Sequence, residues 1–321
     1  MSFLEEQKQQ HIAYFKAPRF AGKLTTGQPF LLLKEHRLEN LNPAIRDEVG
    51  ALFEHSDPRQ RIQWHRYIGH GCSSQACCVN FLYPLAQTPS LLKRWVEHIT
   101  GLQGLELIPI EERHGAGQLV AFEWFPETDY LNESTGGLRS RGANSTSVDA
   151  AIKYLYQGEV RLLLVEWKYT ESYPAKRSED HREGDRTRDR RYHNIWRRPH
   201  GPLRLDCELS LRELYLEPWY QLLRQQSLAY HTELDPLSGY QHVTVAHISP
   251  RQNKALRVIR GEPFMKLAAQ HKSSDCFELF SSLIAEDWRD RFTSWSTEEA
   301  FKPLAAEPQM SWLKERYPSL F

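Results

Sequence analysis

The stretch 145–170, STSVDAAIKYLYQGEVRLLLVEWKYT, constrains this chain more than any other. Two segments rich in β-branched, aromatic and aliphatic residues flank Gln157-Gly158, the pattern of a β-hairpin closed by a tight turn. The second segment is apolar almost throughout, so it is expected in the middle of its sheet with both faces covered. If Gln157 and Gly158 are the two loop residues, Tyr156 faces Glu159 and Asp149 faces Glu166, with Cβ atoms on the order of 5 Å apart. Glu166 and Lys168 are two apart on one strand and share a face. Three charged side chains thus converge on an otherwise apolar hairpin.

Facing carboxylates repel, and burial makes this worse. A divalent cation would relieve the conflict, since Mg²⁺ is typically held by one or two carboxylates plus waters and substrate phosphate. Lys168 would orient or help deprotonate the attacking water, or steady charge on a phosphate in transfer. These are the parts needed to hydrolyse a phosphodiester. The competing reading is a structural ion cluster. Against it, charged residues are uncommon on a central strand, and one Lys cannot fully offset two carboxylates.

The flanking sequence supplies other elements. Residues 1–70 read as polar and helical, without a chemical motif. CSSQACCVNFLYPLA at 72–86 reads as a helix capped by Ser73 or Ser74 and ended or kinked by Pro84, and a second helix follows over 89–100. QLVAFEWFP at 118–126 is a strand candidate, 127–145 a loop, 211–233 an amphipathic helical region interrupted by Pro218, and HVTVAHISP at 242–250 a further strand. The tail beyond 251 reads as helical, for example over 275–288.

Asp149, a spacing of 16 residues, then Glu166-Trp167-Lys168 on an apolar strand resembles the PD-(D/E)XK nuclease superfamily, to which restriction endonucleases belong. The element order over 73–249 is similar to that superfamily's αβββαβ core. The resemblance implies an α/β fold, a mixed sheet flanked by helices. The pattern along the chain adds mainly helical extensions at 1–72 and 250–321 and a charged insertion at 176–204, all within a single composite domain. The resemblance also implies a nuclease using Mg²⁺ or Mn²⁺, with Asp149 and Glu166 as metal ligands and Lys168 as the catalytic amine. Val148 stands where many members have Pro. The resemblance further implies a DNA endonuclease of restriction, defence or repair type, and it leaves a homodimer open. Gln75, Glu171 and Gln221 become supporting candidates, and Glu123 a third carboxylate if its face agrees. The alternative is an inactive nucleic-acid-binding module on the same fold.

Charge bears on the partner. Lys plus Arg and Asp plus Glu both number 41, so no global basic field draws in nucleic acid and a local patch must do so. The insertion 176–204 carries ten Lys/Arg against five Asp/Glu, with Tyr192 and Trp196 interleaved. Such sequence suits phosphate contact and base stacking, or is simply a solvated loop. Arg190, Arg191, Arg197 and Arg198 there, with Arg139 and Arg141 before Asp149, are the candidate DNA contacts. Five cysteines with no C-x-x-C pair argue against a disulfide framework or a structural zinc site. The histidines lack H-x-x-x-H spacing on a helix. A polar N-terminus without an apolar run, and no apolar stretch of membrane-spanning length, lead to the expectation of a cytoplasmic protein without membrane association.

Overall fold

The hairpin forms in the expected register. Cross-strand partners run from Ala150↔Val165 to Tyr156↔Glu159, and the next residues on the two strands are Asp149 and Glu166. Gln157 and Gly158 both take positive φ, 52° and 83°, which a two-residue turn matched to strand twist requires. The computed structural model describes residues 1–54, 61–113, 115–134, 139, 145–173, 184–193, 200–204 and 209–321.

Six strands build the central sheet: β1 (Glu106–Leu107), β2 (Ala121–Trp124), β3 (Val148–Tyr156), β4 (Glu159–Trp167), β5 (His242–Ser249) and β6 (Phe292–Ser296). Their order is β6-β5-β4-β3-β1, with β2 also paired to β3. The β1, β2 and β4 pairings with β3 are antiparallel, while β5 runs parallel to β4 and β6 parallel to β5. The sheet is therefore mixed, and β4 is central as its apolar run predicts.

Alternation along β4 divides the core. Leu163, Val165 and Trp167 enter one apolar cluster, Leu162 and Leu164 the other. The first face is covered by helices α1 (Phe3–Phe15), α2 (Ser74–Ala86) and α3 (Pro89–Thr100) together with the C-terminal residues. Helix α2 is capped by Ser73 Oγ, which accepts from the Ala76 N–H at 3.2 Å, and it ends two residues after Pro84. All its residues from Gln75 to Leu85 are buried, because sheet and C-terminal shell enclose it: Phe81 packs on Trp167 and Phe301. Cys72, Cys77 and Cys78 are buried free thiols here, as small core residues.

The second face is covered by α5 (Trp219–Leu234), which begins just after Pro218, and by α6 (Cys276–Leu283). Helix α4 (Asp185–Tyr192), part of the charged insertion, joins α5 through Tyr192, which shares an apolar cluster with Leu228. The expected order of helix, three strands, helix and strand holds for α2, β2, β3, β4, α5 and β5. The terminal regions are helical as expected. They also add a small hairpin, Leu24–Thr25 with Gln28–Leu32, and the edge strand β6. No helix among the described residues is long and apolar enough to cross a membrane.

Candidate active site

The site sits where β2, β3 and β4 end side by side. Partners on β2 and β3 are Phe122↔Ala150 and Trp124↔Val148, so Glu123 falls level with Asp149. Beyond β4, Glu166 is level with His247 on β5. A polar row, Glu123–Asp149–Glu166–His247, thus crosses a sheet whose other rows are largely apolar.

Each member is held differently. Asp149 Oδ2 accepts the Trp167 backbone N–H at 2.7 Å, so the hairpin itself orients the carboxylate. Glu166 Oε1 accepts from Gln221 Nε2 at 2.6 Å and also from Lys168 Nζ, while Gln225 Nε2 donates to Oε2. Gln221 and Gln225 are one helical turn apart, so α5 presents both amides to the same carboxylate. Glu123 has φ of 49°, unusual for a non-glycine residue. Its Oε1 accepts from Gln75 Nε2 at 2.8 Å and lies 3.6 Å from His65 Nε2. Gln75 is itself fixed, accepting the His65 N–H at 2.8 Å.

Electrostatics give the site its character. Burial pushes the Asp149 carboxyl up to about 7; Lys168 pulls against this and Glu123 adds to it. Burial likewise pushes Glu166 up to about 7, opposed by Lys168 and reinforced by Asp149. Burial alone would lower the Lys168 ammonium, but Glu166, Tyr173, Asp149 and Glu171 outweigh it and hold the amine well above its ordinary value. His247 is kept neutral by burial, then by Arg257 and Lys168, and it stacks on Phe277 at 3.7 Å. The centre therefore carries more carboxylate than its lysine can neutralise.

The residues singled out from sequence separate into groups. Asp149, Glu166 and Lys168 come together, with Gln221 attached. Glu123 affects Asp149 through charge but is hydrogen-bonded away, to Gln75. Glu171 Oε2 accepts the Tyr169 N–H at 2.6 Å and Oε1 accepts from Ser74, so its contacts lie beside the centre rather than in it. Arg139 folds back on the carbonyls of Pro126, Glu127 and Thr128. Arg191 reaches the Glu133 carbonyl at 3.4 Å, and Arg190 is exposed. Arg141, Arg197, Arg198 and Trp196 lie outside the described residues. Tyr192 corrects the expectation of base stacking: it is fully buried, and its hydroxyl donates to Glu133 Oε1 at 2.9 Å. A tyrosine in an arginine-rich helix packs inward when a polar acceptor waits in the core.

Sequence reasoning missed Gln225, His65 and His247. For Gln225 a signal existed, its four-residue spacing from Gln221 in YQLLRQQ. His247 depends on the parallel β4–β5 register, which no local pattern sets.

A family model described as "Restriction Endonuclease associating with ARP" (REase-ARP) matches residues 4–318. The chain belongs to the REase-ARP family. No curated protein and no solved structure matches it. The REase-ARP match spans both terminal regions as well as the strands bearing the carboxylate row. A restriction-endonuclease family points to nuclease-type chemistry and a nucleic-acid substrate.

Proposed function

We propose that this REase-ARP chain is a divalent-metal-dependent nuclease of the PD-(D/E)XK kind, cutting DNA phosphodiester bonds. The observation carrying the proposal is the buried Asp149–Glu166 pair with Lys168 attached: two carboxylates side by side that burial pushes up to about 7 against the pull of a single lysine. The donor set fits a hydrated Mg²⁺ or Mn²⁺. Both ligands are hard oxygens, and buried Gln225 Oε1 has no partner among the described residues, leaving an acceptor that a bound water would satisfy. Among the described residues no three His, Cys, Asp or Glu side chains are grouped so as to hold an ion, so the two carboxylates alone carry the reading.

When bound, the cation would neutralise the carboxylates and scissile phosphate and make the attacking water more acidic. The chain's own residues supply the rest. The Trp167 N–H fixes Asp149, and Gln221 and Gln225 fix Glu166, so neither carboxylate must reorganise during reaction. Lys168 is an ammonium in the protein as described, which favours donation to a phosphate oxygen over proton abstraction. The family description adds association with ARP, and we carry that over as part of the same proposal.

The test is cleavage of plasmid and single-stranded DNA with Mg²⁺, Mn²⁺ or EDTA, comparing wild type with Asp149→Ala and Lys168→Ala. Cation-dependent cutting should fall on the order of 10²–10³-fold in each variant. A wild-type protein that binds DNA in a salt-sensitive way yet never cuts it is an inactive binding module, and the proposal fails.

A further inference from the structure

Beside the carboxylate row lies a cleft of about 520 Å³ whose walls come from the N-terminal hairpin region and residues 64–69. The walls are tied by backbone bonds, Leu32 N–H to the Gly69 carbonyl at 3.0 Å and Gly71 N–H to the Phe30 carbonyl at 2.8 Å. Asn40 Nδ2 adds bonds to the carbonyls of Ile68 and His70 at 2.8 and 2.9 Å. The cleft is thus preformed.

Three features of its lining point one way. The first is charge: Lys34, Arg37, His65 and Arg66 line it, and among the described residues no carboxylate does. Among the described residues, Lys34, Arg37 and Arg66 are in no ion pair, and Arg37 bonds only to the Lys34 carbonyl at 3.2 Å. In a chain with no net charge, this is a local basic concavity. The second is aromatic surface. Tyr67 is 57% exposed, with the Arg66 guanidinium 5.3 Å from its ring centre. Trp64, also in the lining, is fixed by stacking on Phe53 at 3.5 Å. The third is position. His65, one of the lining residues, lies 3.6 Å from Glu123, which is level with Asp149.

We infer that this cleft holds an unpaired nucleotide of the substrate strand next to the bond being cut, its base stacked on Tyr67 and its phosphates on Lys34, Arg37 and Arg66. The inference deepens the nuclease reading and rests on it. Bases inside a duplex have both faces covered by their neighbours, so only a base out of the stack can offer its face to Tyr67. The basic side chains track the backbone without reading sequence. The substrate strand is therefore single-stranded, frayed or flapped where it enters the site.

The experiment is fluorescence anisotropy with a labelled single-stranded oligonucleotide and its duplex, in EDTA so that nothing is cut, across a salt series. Wild type should prefer the single strand. Tyr67→Ala should weaken that binding roughly tenfold, with Tyr67→Phe restoring it. Lys34→Ala and Arg66→Ala should each reduce the salt slope by about one charge. Thermal melts confirm folding of these surface variants. Equal binding by wild type and all variants, while Mg²⁺-dependent cutting persists, overturns the cleft assignment alone. A wild-type protein that neither binds nor cuts overturns both readings.

Discussion

Lys168 and Tyr169 are consecutive residues, yet they belong to two buried polar clusters on opposite faces of the sheet. On one face Lys168 joins Glu166 and Asp149. On the other, Tyr169 donates its hydroxyl to Gln7 Oε1 at 2.6 Å and lies 2.9 Å from His11 Nε2. His11 Nδ1 meets the Arg316 guanidinium, which also donates to Asn40 Oδ1 at 2.6 Å. Burial, then Arg316 and His70, hold His11 well below its ordinary value, so its ring is neutral. Nδ1 can then accept from Arg316 while Nε2–H donates to Tyr169. Arg316 is 1% exposed and also sits 4.4 Å from the Tyr14 ring centre and 4.9 Å from that of Phe15. Both clusters bury charge. The Arg316 cluster meets most of it with neutral acceptors and aromatic faces, the Arg316 Nε lacking a partner among the described residues, whereas the Glu166 cluster gathers anionic charge that one lysine does not offset. The first holds the termini against β4; the second is the one proposed to receive a cation.

Breaking the Arg316 cluster should have the larger effect on folding. Arg316→Ala removes the donor to His11 and Asn40 and leaves both acceptors buried. It should destabilise by about 3 kcal/mol. Arg316→Met, which keeps the packing of the long side chain, should recover part of that loss. Urea unfolding checks both. Activity per folded molecule should stay within a few-fold of wild type, because the cluster faces away from Asp149. A loss of catalysis without a loss of stability would erase the contrast between the two faces. Gly71 gives the cluster its closeness: a Cβ there would lie 2.6 Å from His11 Cβ.

The second effect is smaller and belongs to the receptive cluster. Gln225→Leu removes one of the two amides that fix Glu166 and replaces it with a group of similar volume. Stability should change little. Mn²⁺ affinity, measured by calorimetric titration, should fall about tenfold, the usual result of losing a hydrogen-bond partner behind a metal ligand. Unchanged affinity with reduced stability would make Gln225 a packing residue.

The two clusters also differ in how far the sequence discloses them. Asp149, Glu166 and Lys168 were legible because a two-residue turn and a period of two fix which residues face each other, with all the information inside one hairpin. Central β4 was legible for the same reason: its unbroken apolar run leaves no solvent face. The His11–Tyr169–Arg316 cluster draws on three distant parts of the chain, and nothing local to His11 or Arg316 distinguishes them from surface residues of polar helices. Strand β6 escaped because five residues, Phe292–Ser296, are too short to declare a period. The cleft at Tyr67 was equally silent, since its walls meet through backbone bonds between segments without periodicity.

The smallest effect tests the receptive cluster most directly. Asp149 has a folded-state pKa raised to about 7, against about 3.9 for an unperturbed side chain. A raised carboxyl means that the folded state binds more protons than the unfolded state between these values, so its contribution to stability falls as pH rises through that window. Below about pH 4 both states are protonated and the penalty is absent; above about pH 7 it is complete. Asp149→Asn removes the titration. The amide keeps an oxygen for the Trp167 N–H but forfeits attraction to Lys168, so the net gain should be about 1 kcal/mol at pH 8 in EDTA and close to zero at pH 4. Melting curves across that range read the difference. Adding Mg²⁺ or Mn²⁺ at pH 8 should reverse the order, because the ion stabilises only the protein that binds it. Wild type more stable than the variant in EDTA at pH 8 would mean that Lys168 already satisfies both carboxylates. The cluster would then be balanced within the protein, with no charge left for a cation to answer.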